Sequence, residues 1–532
     1  MKRILLIFLL VVSGSSLLYA QQPLIDTINV GKIINIIQSE RYNFQDMGDT
    51  SGKFISLVGN AQVKQEKTHF NADSIVLNQK ANIMEAFGNI HINDADSVHT
   101  YAQYVKYYGK EKKAFLNNKV KLTDGKGVLT TDNLEYDVNT KEGIFLNGGK
   151  LVNGKTVLTS KEGYYYGNTR DVIFKKKVLL NGPDYKIITD TLLYNLNTDI
   201  VTFVCPTSIK TGKRTIKTNQ GWYNLKNKQA WFGNRPIIDD SSYTLVADSI
   251  HFNDSTGMGN LRGKVIYSSK DSVGGFDLTA GFLDINKKKN TLLATDTPIL
   301  IVKQEKDSIY ITADTLYGAP LDVLTKTTPV PVLRDTTYKV SKDSSANRYF
   351  RGYHHVKIFS DSMQAVGDSM FYSLKDSVFR LFTNPIVWTN DNQIMGDTIY
   401  MYTQNKKPEK MRVIENATAI NKLTEKYYNQ VSGNVINAFF KNGEIFHIYT
   451  KGSPADNVYY AQDDKQKYIG VNKSTSDVIN VYLKNNKADK VTFINNLEGT
   501  MYPMGQVNHE EIRVRHFKWD ESQKPKNKFF VP

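Results

Sequence analysis

The chain has one cysteine, Cys205, in 532 residues. That excludes a disulfide scaffold and any cysteine-ligated zinc or iron–sulfur centre. Proline is scarce, at 14 residues. No apolar run reaches the roughly 18 residues of a membrane-spanning helix, and no long window carries a helical stripe. The nine histidines show no H-E-x-x-H or similar zinc spacing. His354-His355 is an adjacent pair, and on a strand its members face opposite sides. There is no G-x-S-x-G elbow and no P-loop. The run Gly257 to Gly263 has the wrong glycine spacing for a dinucleotide loop. Asp239-Asp240 and Asp463-Asp464 read as loop residues rather than an acid–base pair. No enzyme activity, catalytic residue, metal or cofactor is expected.

What is present is β-forming. Tyrosine (31) and phenylalanine (25) are plentiful, and hydrophobic residues make up 40% against 23% charged, enough for a core. Met1-Lys2-Arg3, the apolar run Ile4 to Val12 and the small-residue stretch to Ala20 read as a signal peptide over residues 1–20. Export makes nucleic acid an unsuitable partner for the net charge of +15. Lipid headgroups, lipopolysaccharide phosphates and acidic glycans are the anions such a chain meets. A plain solubilising role for the charge is the simpler alternative.

A repeat dominates the rest. Its clearest copies are Ala72-Asp73-Ser74-Ile75-Val76-Leu77 and Ala247-Asp248-Ser249-Ile250-His251-Phe252, with further copies at Asp190, Asp314, Asp368 and Asp397. Weaker anchors fall at Gln103, Asp132, Glu162, Gln220, Gly281, Asn434 and Asp477, so most steps are about 30 residues. Each unit has a second half built as apolar run, polar turn, apolar alternation, as in Ala114 to Leu122 and Met258 to Tyr267. The internal period is two, which predicts strands. One unit cannot bury its apolar face alone, so the units are expected to stack. At one strand spacing per repeat, about 4.8 Å, the thirteen anchors would span roughly 60 Å. The recurring Asp-Ser or Asp-Thr is expected to close a turn on a nearby backbone amide. A calcium ladder is disfavoured by having only one carboxylate per unit.

Residues 319–348, with Ala319-Pro320 and Thr328-Pro329-Val330-Pro331, read as a linker or insertion. It separates an array in residues 21–318 from a second in 349–518, followed by a basic, mobile tail over 519–532.

Val58-Gly59-Asn60-Ala61-Gln62-Val63 followed by Phe70-Asn71-Ala72-Asp73-Ser74-Ile75 resembles the opening of the OstA-like (LptA-type) family. The same rhythm returns at Leu261-Arg262-Gly263-Lys264-Val265 and around Asp248 and Asp314. The sequence is similar to the long members found in Bacteroidetes-type bacteria. The resemblance implies an all-β, elongated open β-jelly roll and a periplasmic, non-enzymatic role in lipopolysaccharide transport. In that role an apolar trough shields acyl chains during transfer to the outer membrane, and edge-to-edge β-strand contacts join other components of the transport bridge.

Period-two strands can line such a trough. Candidate lipid-binding residues are Ile75, Leu77, Val120, Leu122, Leu134, Tyr136, Val178, Leu180, Leu192, Tyr194, Ile250, Phe252, Val265 and Tyr267. Filling a closed core is the alternative for each. Lys175-Lys176-Lys177 and Lys287-Lys288-Lys289 are placed at turns, where they could meet phosphates at the rim or simply be solvated. Ile250→Asp is expected to weaken lipid binding and spare the β-content. Two rival readings remain: an exported β-solenoid that binds or cleaves glycans, with a polar interior, and a structural scaffold with a closed, dry core.

Overall fold

Alternation of side chains sets the strands. In β3 (Lys53–Gln65), Ile55, Leu57, Ala61 and Val63 are buried; in β4 (Thr68–Asn78), Phe70, Ala72, Ile75 and Leu77 are. This computed structural model describes residues 34–48, 52–270, 275–303, 308–325, 348–404, 407–484 and 487–530. The proposed signal peptide and most of the insertion lie outside them. The described chain is all-β and antiparallel apart from single turns of helix at Leu321–Thr325 and Met504–Gln506. It divides into two compact units at Asn139/Thr140.

The first unit continues through β5 (Ile83–Asp94), β6 (Val98–Tyr108), β7 (Lys113–Thr123) and β8 (Gly127–Asp137), each paired with the strand before it. Two short strands, β1 (Asn35–Gln38) and β2 (Arg41–Asp46), share the outer side of β3. The second unit holds β9 (Glu142–Phe145) to β40 (Glu498–Pro503) and repeats the pattern, as in β13 (Asp171–Asn181) with β14 (Lys186–Asn195) and β23 (Met258–Ser269) with β24 (Phe276–Asn286). Across the insertion, β28 (Thr315–Pro320) pairs directly with β29 (Arg348–Phe359).

The strands are longer than the sequence suggests, because each long strand bends in its middle. In the first unit the bends fall at residues 59–60, 88–89 and 118–119. In the second they include 176–177, 263–264, 354–355 and 415–416. Both residues of each bend have positive φ. At each bend two residues oppose one on the neighbouring strand, as where Val58 pairs Ser74 and Ala61 pairs Ala72. These are β-bulges, which bend a strand and raise its twist. The single opposing residue is the repeat's anchor. Asp73 faces the bends at 59–60 and 88–89, Asp314 and Asp368 both face 354–355, and Asn434 faces 415–416.

The anchor aspartates therefore do a different job from the one expected. They brace the bend on the next strand rather than close a turn on their own. Asn89 Nδ2 donates to Asp73 (3.0 Å), Asn416 Nδ2 to Asp397 (3.0 Å) and Asn496 Nδ2 to Asp477 (3.0 Å). Arg235 pairs with Asp248 at 2.8 Å, and His355 Nδ1 lies 2.8 Å from Asp314. At Gly263, φ is +73°, and a methyl group there would sit 2.3 Å from Asp248 Oδ2. Glycine, left-handed bend and aspartate form one device.

The bends fold each strand through two sheets. One half of each long strand lies in each, short strands such as Ile200–Phe203 and Thr207–Thr211 each extend one sheet alone, and the hairpin turns form two free rims. Residues on the two halves pack face to face: Phe70 against Tyr107 (5.4 Å between centroids) and Phe276 against Phe350 (5.0 Å). A repeat thus adds two strands to each sheet. It advances about 9.6 Å, twice the expected one-strand step.

The tail is docked rather than mobile as far as Phe530. Ile512 and Val514 pack with Val458, Tyr460 and Val471. Gln430 Oε1 accepts from Val514 N (3.0 Å), and Gln393 Oε1 from Asp520 N (2.9 Å). Four capping contacts hold the Asp520 carboxyl well below the usual carboxylate range, the Ser522 hydroxyl foremost.

Candidate functional site

Each unit has an apolar space between its sheets. Thirteen of the fourteen candidate lining residues are buried: Ile75, Leu77, Val120, Leu122, Leu134 and Tyr136 in the first unit, and Val178, Leu180, Leu192, Tyr194, Ile250, Phe252 and Val265 in the second. Tyr267 is half-buried, stacked between Tyr243 (5.4 Å) and Phe276 (5.0 Å). Phe174, Phe203, Phe232 and Phe350 complete the lining. Their own local alternation marks them equally well.

The interior is packed. A small apolar pocket near Ile394, Ala419, Ile448 and Val491 measures about 40 Å³, far below the roughly 300–1,000 Å³ of a ligand pocket. A hydrocarbon chain can therefore enter only where the sheets part. Ile250 is 1% exposed. Ile250→Asp would bury a carboxylate and unfold its surroundings, so the selective effect expected of it does not follow from this geometry.

The two long sides of the interior differ. Along one, the bends carry the backbone from sheet to sheet. Along the other, the rims face each other as a mouth, and among the described residues only side chains bridge it. In the first unit Tyr107 Oη donates to Gln65 Oε1 (2.7 Å), and Lys112 pairs with Glu66 (3.2 Å). In the second unit Asn153 Nδ2 donates to Tyr194 Oη (3.0 Å), which donates to Asp199 (3.0 Å). Arg214 pairs with Asp254 at 2.9 Å, and Tyr185 approaches Tyr223 at 6.1 Å.

Burial shapes the chemistry of this closure. It pushes the Tyr107 phenol up to about 12, and it drives the Tyr185, Tyr194 and Tyr223 phenols upward as well. Neutral, hydrogen-bonding hydroxyls are therefore favoured at the mouth. Four of these bridges were missed in the sequence because their partners lie 40 to 46 residues apart, more than one repeat.

The lysine triplets separate. Lys175-Lys176-Lys177 lies in the middle of β13, at its bend, and not at a turn. Lys176 pairs there with Glu162 (2.5 Å), and Lys175 lies 5.0 Å over the Tyr164 ring. The bends are the side of the interior away from the mouth. Lys287-Lys288-Lys289 does occupy a turn, the hairpin after β24, with Lys288 held by the Ser255 carbonyl. The His354-His355 pair forms a bend, its rings engaged by Asp368 and Asp314. Among the described residues no cluster of three metal-ligating side chains occurs, and no helix is long and apolar enough to cross a membrane.

The class these features define is an all-β stack of bent antiparallel hairpins around an apolar interior, closed by backbone on one side and by side chains on the other. Residues 33–190 match the model of the family described as OstA-like protein. That match covers less than a third of the chain, and it takes in all of the first unit's strands from Lys53 on and the opening of the second. Among solved structures it is similar to LptH of Pseudomonas aeruginosa, described as the LptA-homologous periplasmic component of that organism's lipopolysaccharide transport device. The likeness has 14% identity, covers 26% of this chain and 81% of that one, and has a TM-score of 0.20. None of the curated proteins matches the chain.

Proposed function

We propose that this protein carries acylated lipid, lipopolysaccharide in the first instance, between the inner and outer membranes, holding acyl chains between its sheets. The observation that carries the reading is the asymmetry of the interior. Its walls are mainly apolar, and they are tied by backbone along one side only. Parting the mouth exposes a trough without breaking a ladder of main-chain hydrogen bonds. The side chains at the mouth are individually weak closures: hydrogen bonds contribute about 0.5–1.5 kcal/mol each and half-exposed ion pairs about 0–1 kcal/mol. Acyl chains entering the space exchange one apolar contact for another. The match of residues 33–190 to the OstA-like family model and the export signal read in the sequence support the same reading, which places the protein in the periplasm and assigns it no catalytic step.

Partners would join at strand edges. On β1 and β2, Ile36, Ile37, Tyr42 and Phe44 are exposed, and β2 pairs with β3 alone among the described strands. An apolar, unpaired edge recruits another strand.

The test is a photo-crosslinking side chain at Phe252, which faces the interior. Incubation with lipopolysaccharide should give an adduct that unlabelled lipopolysaccharide competes away. A second reading, a structural scaffold, is favoured by one observation, the tight packing of the interior. A folded protein giving no competed adduct would establish that reading instead. The glycan reading needs a polar interior, which this fold does not have.

A further inference from the structure

Three hairpins of the second unit stand side by side at the mouth. Their turns are Gly182–Tyr185, Gly212-Lys213 and Asp240–Ser242, between strands Lys186–Asn195, Thr207–Thr211, Arg214–Thr218 and Tyr243–Val246. With Lys287 from the facing rim they enclose a cleft of about 850 Å³. Its charge is one-sided. Lys186, Lys210, Lys213, Arg214 and Lys287 line it, against Asp184 and Asp240. The four lysines are exposed and make no ion pair among the described residues. Asp240 is already engaged by the Ser241 hydroxyl (3.1 Å).

A second, independent observation is Arg214 itself. Its side chain is 8% exposed and lies over the Phe252 ring at 4.8 Å. One Nη2 is held by Asp254, while its buried Nε has no partner. A buried N–H donor left unmatched costs free energy unless a ligand supplies the acceptor. Here it lines a cleft full of cations and abuts a ring that belongs to the apolar interior.

We propose that this cleft binds the phosphorylated headgroup of an acylated lipid, the phosphate meeting Lys210, Lys213 and Arg214 while the chains pass Phe252 into the interior. The inference rests on the lipid-carrying reading and adds where on the chain the headgroup sits. Phosphate oxygens accept several charge-assisted hydrogen bonds, and lysines serve them as point charges. The position suits an amphiphile, with cations in water and the apolar wall one side chain away. The bend lysines Lys175 to Lys177 lack this placement.

The experiment compares two lipids on the full chain at physiological salt: bis-phosphorylated lipid A and the same lipid with its phosphates removed. Lys210→Glu/Lys213→Glu should weaken the phosphorylated lipid about tenfold or more and leave the phosphate-free lipid unchanged. Lys465→Glu/Lys467→Glu, an equal charge change at a distant exposed hairpin, should do neither. Equal weakening of both lipids, no weakening of either, or the same loss in the distant variant would overturn the assignment. Full displacement of the lipid by a tenfold excess of inorganic phosphate would overturn it too, as the site would then read phosphate and not lipid. If the unaltered chain bound neither lipid, the transport function itself would fall and the cleft with it.

Discussion

Replacing Gly263 by alanine tests the bend as a device. Two costs add. The backbone at +73° is a region where an L-residue loses about 1 kcal/mol or somewhat more. In addition, the new methyl would lie 2.3 Å from Asp248 Oδ2 and 2.9 Å from its Cβ. The aspartate must swing away and give up its contact with Arg235. That pair is half-exposed, with side chains 39% and 55% accessible, so its loss adds well under about 1 kcal/mol; displacing the carboxylate adds roughly another. The sum is about 2–3 kcal/mol. Gly154→Ala is the control. Its φ is +55° with nothing within 4 Å, so only the backbone cost of about 1 kcal/mol applies. A stacked-repeat protein has no single unfolding free energy. The assay is therefore amide hydrogen exchange over residues 249–269, which reads local opening. Gly263→Ala should speed exchange on the order of 50-fold and Gly154→Ala about 5-fold in its own hairpin, at 1.4 kcal/mol per decade. In an Asp248→Ala background the cost of Gly263→Ala should fall to about 1 kcal/mol, because the obstacle is gone. Purely additive effects would refute the account of aspartate and glycine as one unit.

Three other outcomes are expected. The mouth tyrosines should titrate late. A phenol whose folded pKa is raised contributes stability that is fully present below pH ~10 and lost as pH climbs through the folded value, about 12 for Tyr107. Absorbance at the tyrosinate band should show a group ionising above the rest, together with loss of β-structure; a single transition near the ordinary phenol value would refute closure by these residues. Deleting Val507–Pro532 should uncover Val458, Tyr460 and Val471 and raise the fluorescence of an apolar dye; no rise would mean the tail does not cover that cluster. Gln393→Ala should free the tail's main-chain contact and cost about 1–3 kcal/mol locally, seen as faster exchange at Lys518–Asp520; unchanged exchange would deny the buried glutamine its role.

Much of this architecture is legible in one sequence because the bend uses two local signatures. The Gly-Asn or Gly-Lys pair supplies residues that tolerate positive φ, and Ala-Asp-Ser supplies the opposing carboxylate. Each recurs about every 29 residues, so the repeat, the antiparallel class and the buried faces follow from period and composition. The strand lengths do not. A run such as Ser56 to Val63 looks like two strands parted by a turn, yet in β3 it is one strand with an unbroken partner. That confusion halves the advance per repeat. It also puts Lys175 to Lys177 at the rim when they lie at a bend.

The mouth escapes the sequence for a different reason. Two sheets folded on a common line of bends place opposite each other residues from strands offset by more than one repeat. Gln65 meets Tyr107, Asn153 meets Tyr194, and Arg214 meets Asp254. Tyr107 and Tyr194 stand at the last apolar position of the repeated motif, where they look like core residues, and the others look like ordinary strand ends beside a turn. The separations nonetheless cluster, at 42, 41 and 40 residues. They cluster because the stagger between the sheets is fixed by geometry even where the residue types are not. A search for polar or aromatic pairs at that offset would find the mouth in other chains of this build. It would also separate the two sides of the interior, the repeated side held by backbone and the variable side held by side chains. Variation belongs on the variable side: a closure made of individually weak, exchangeable contacts can be tuned to a cargo without disturbing the bends that hold the sheets together.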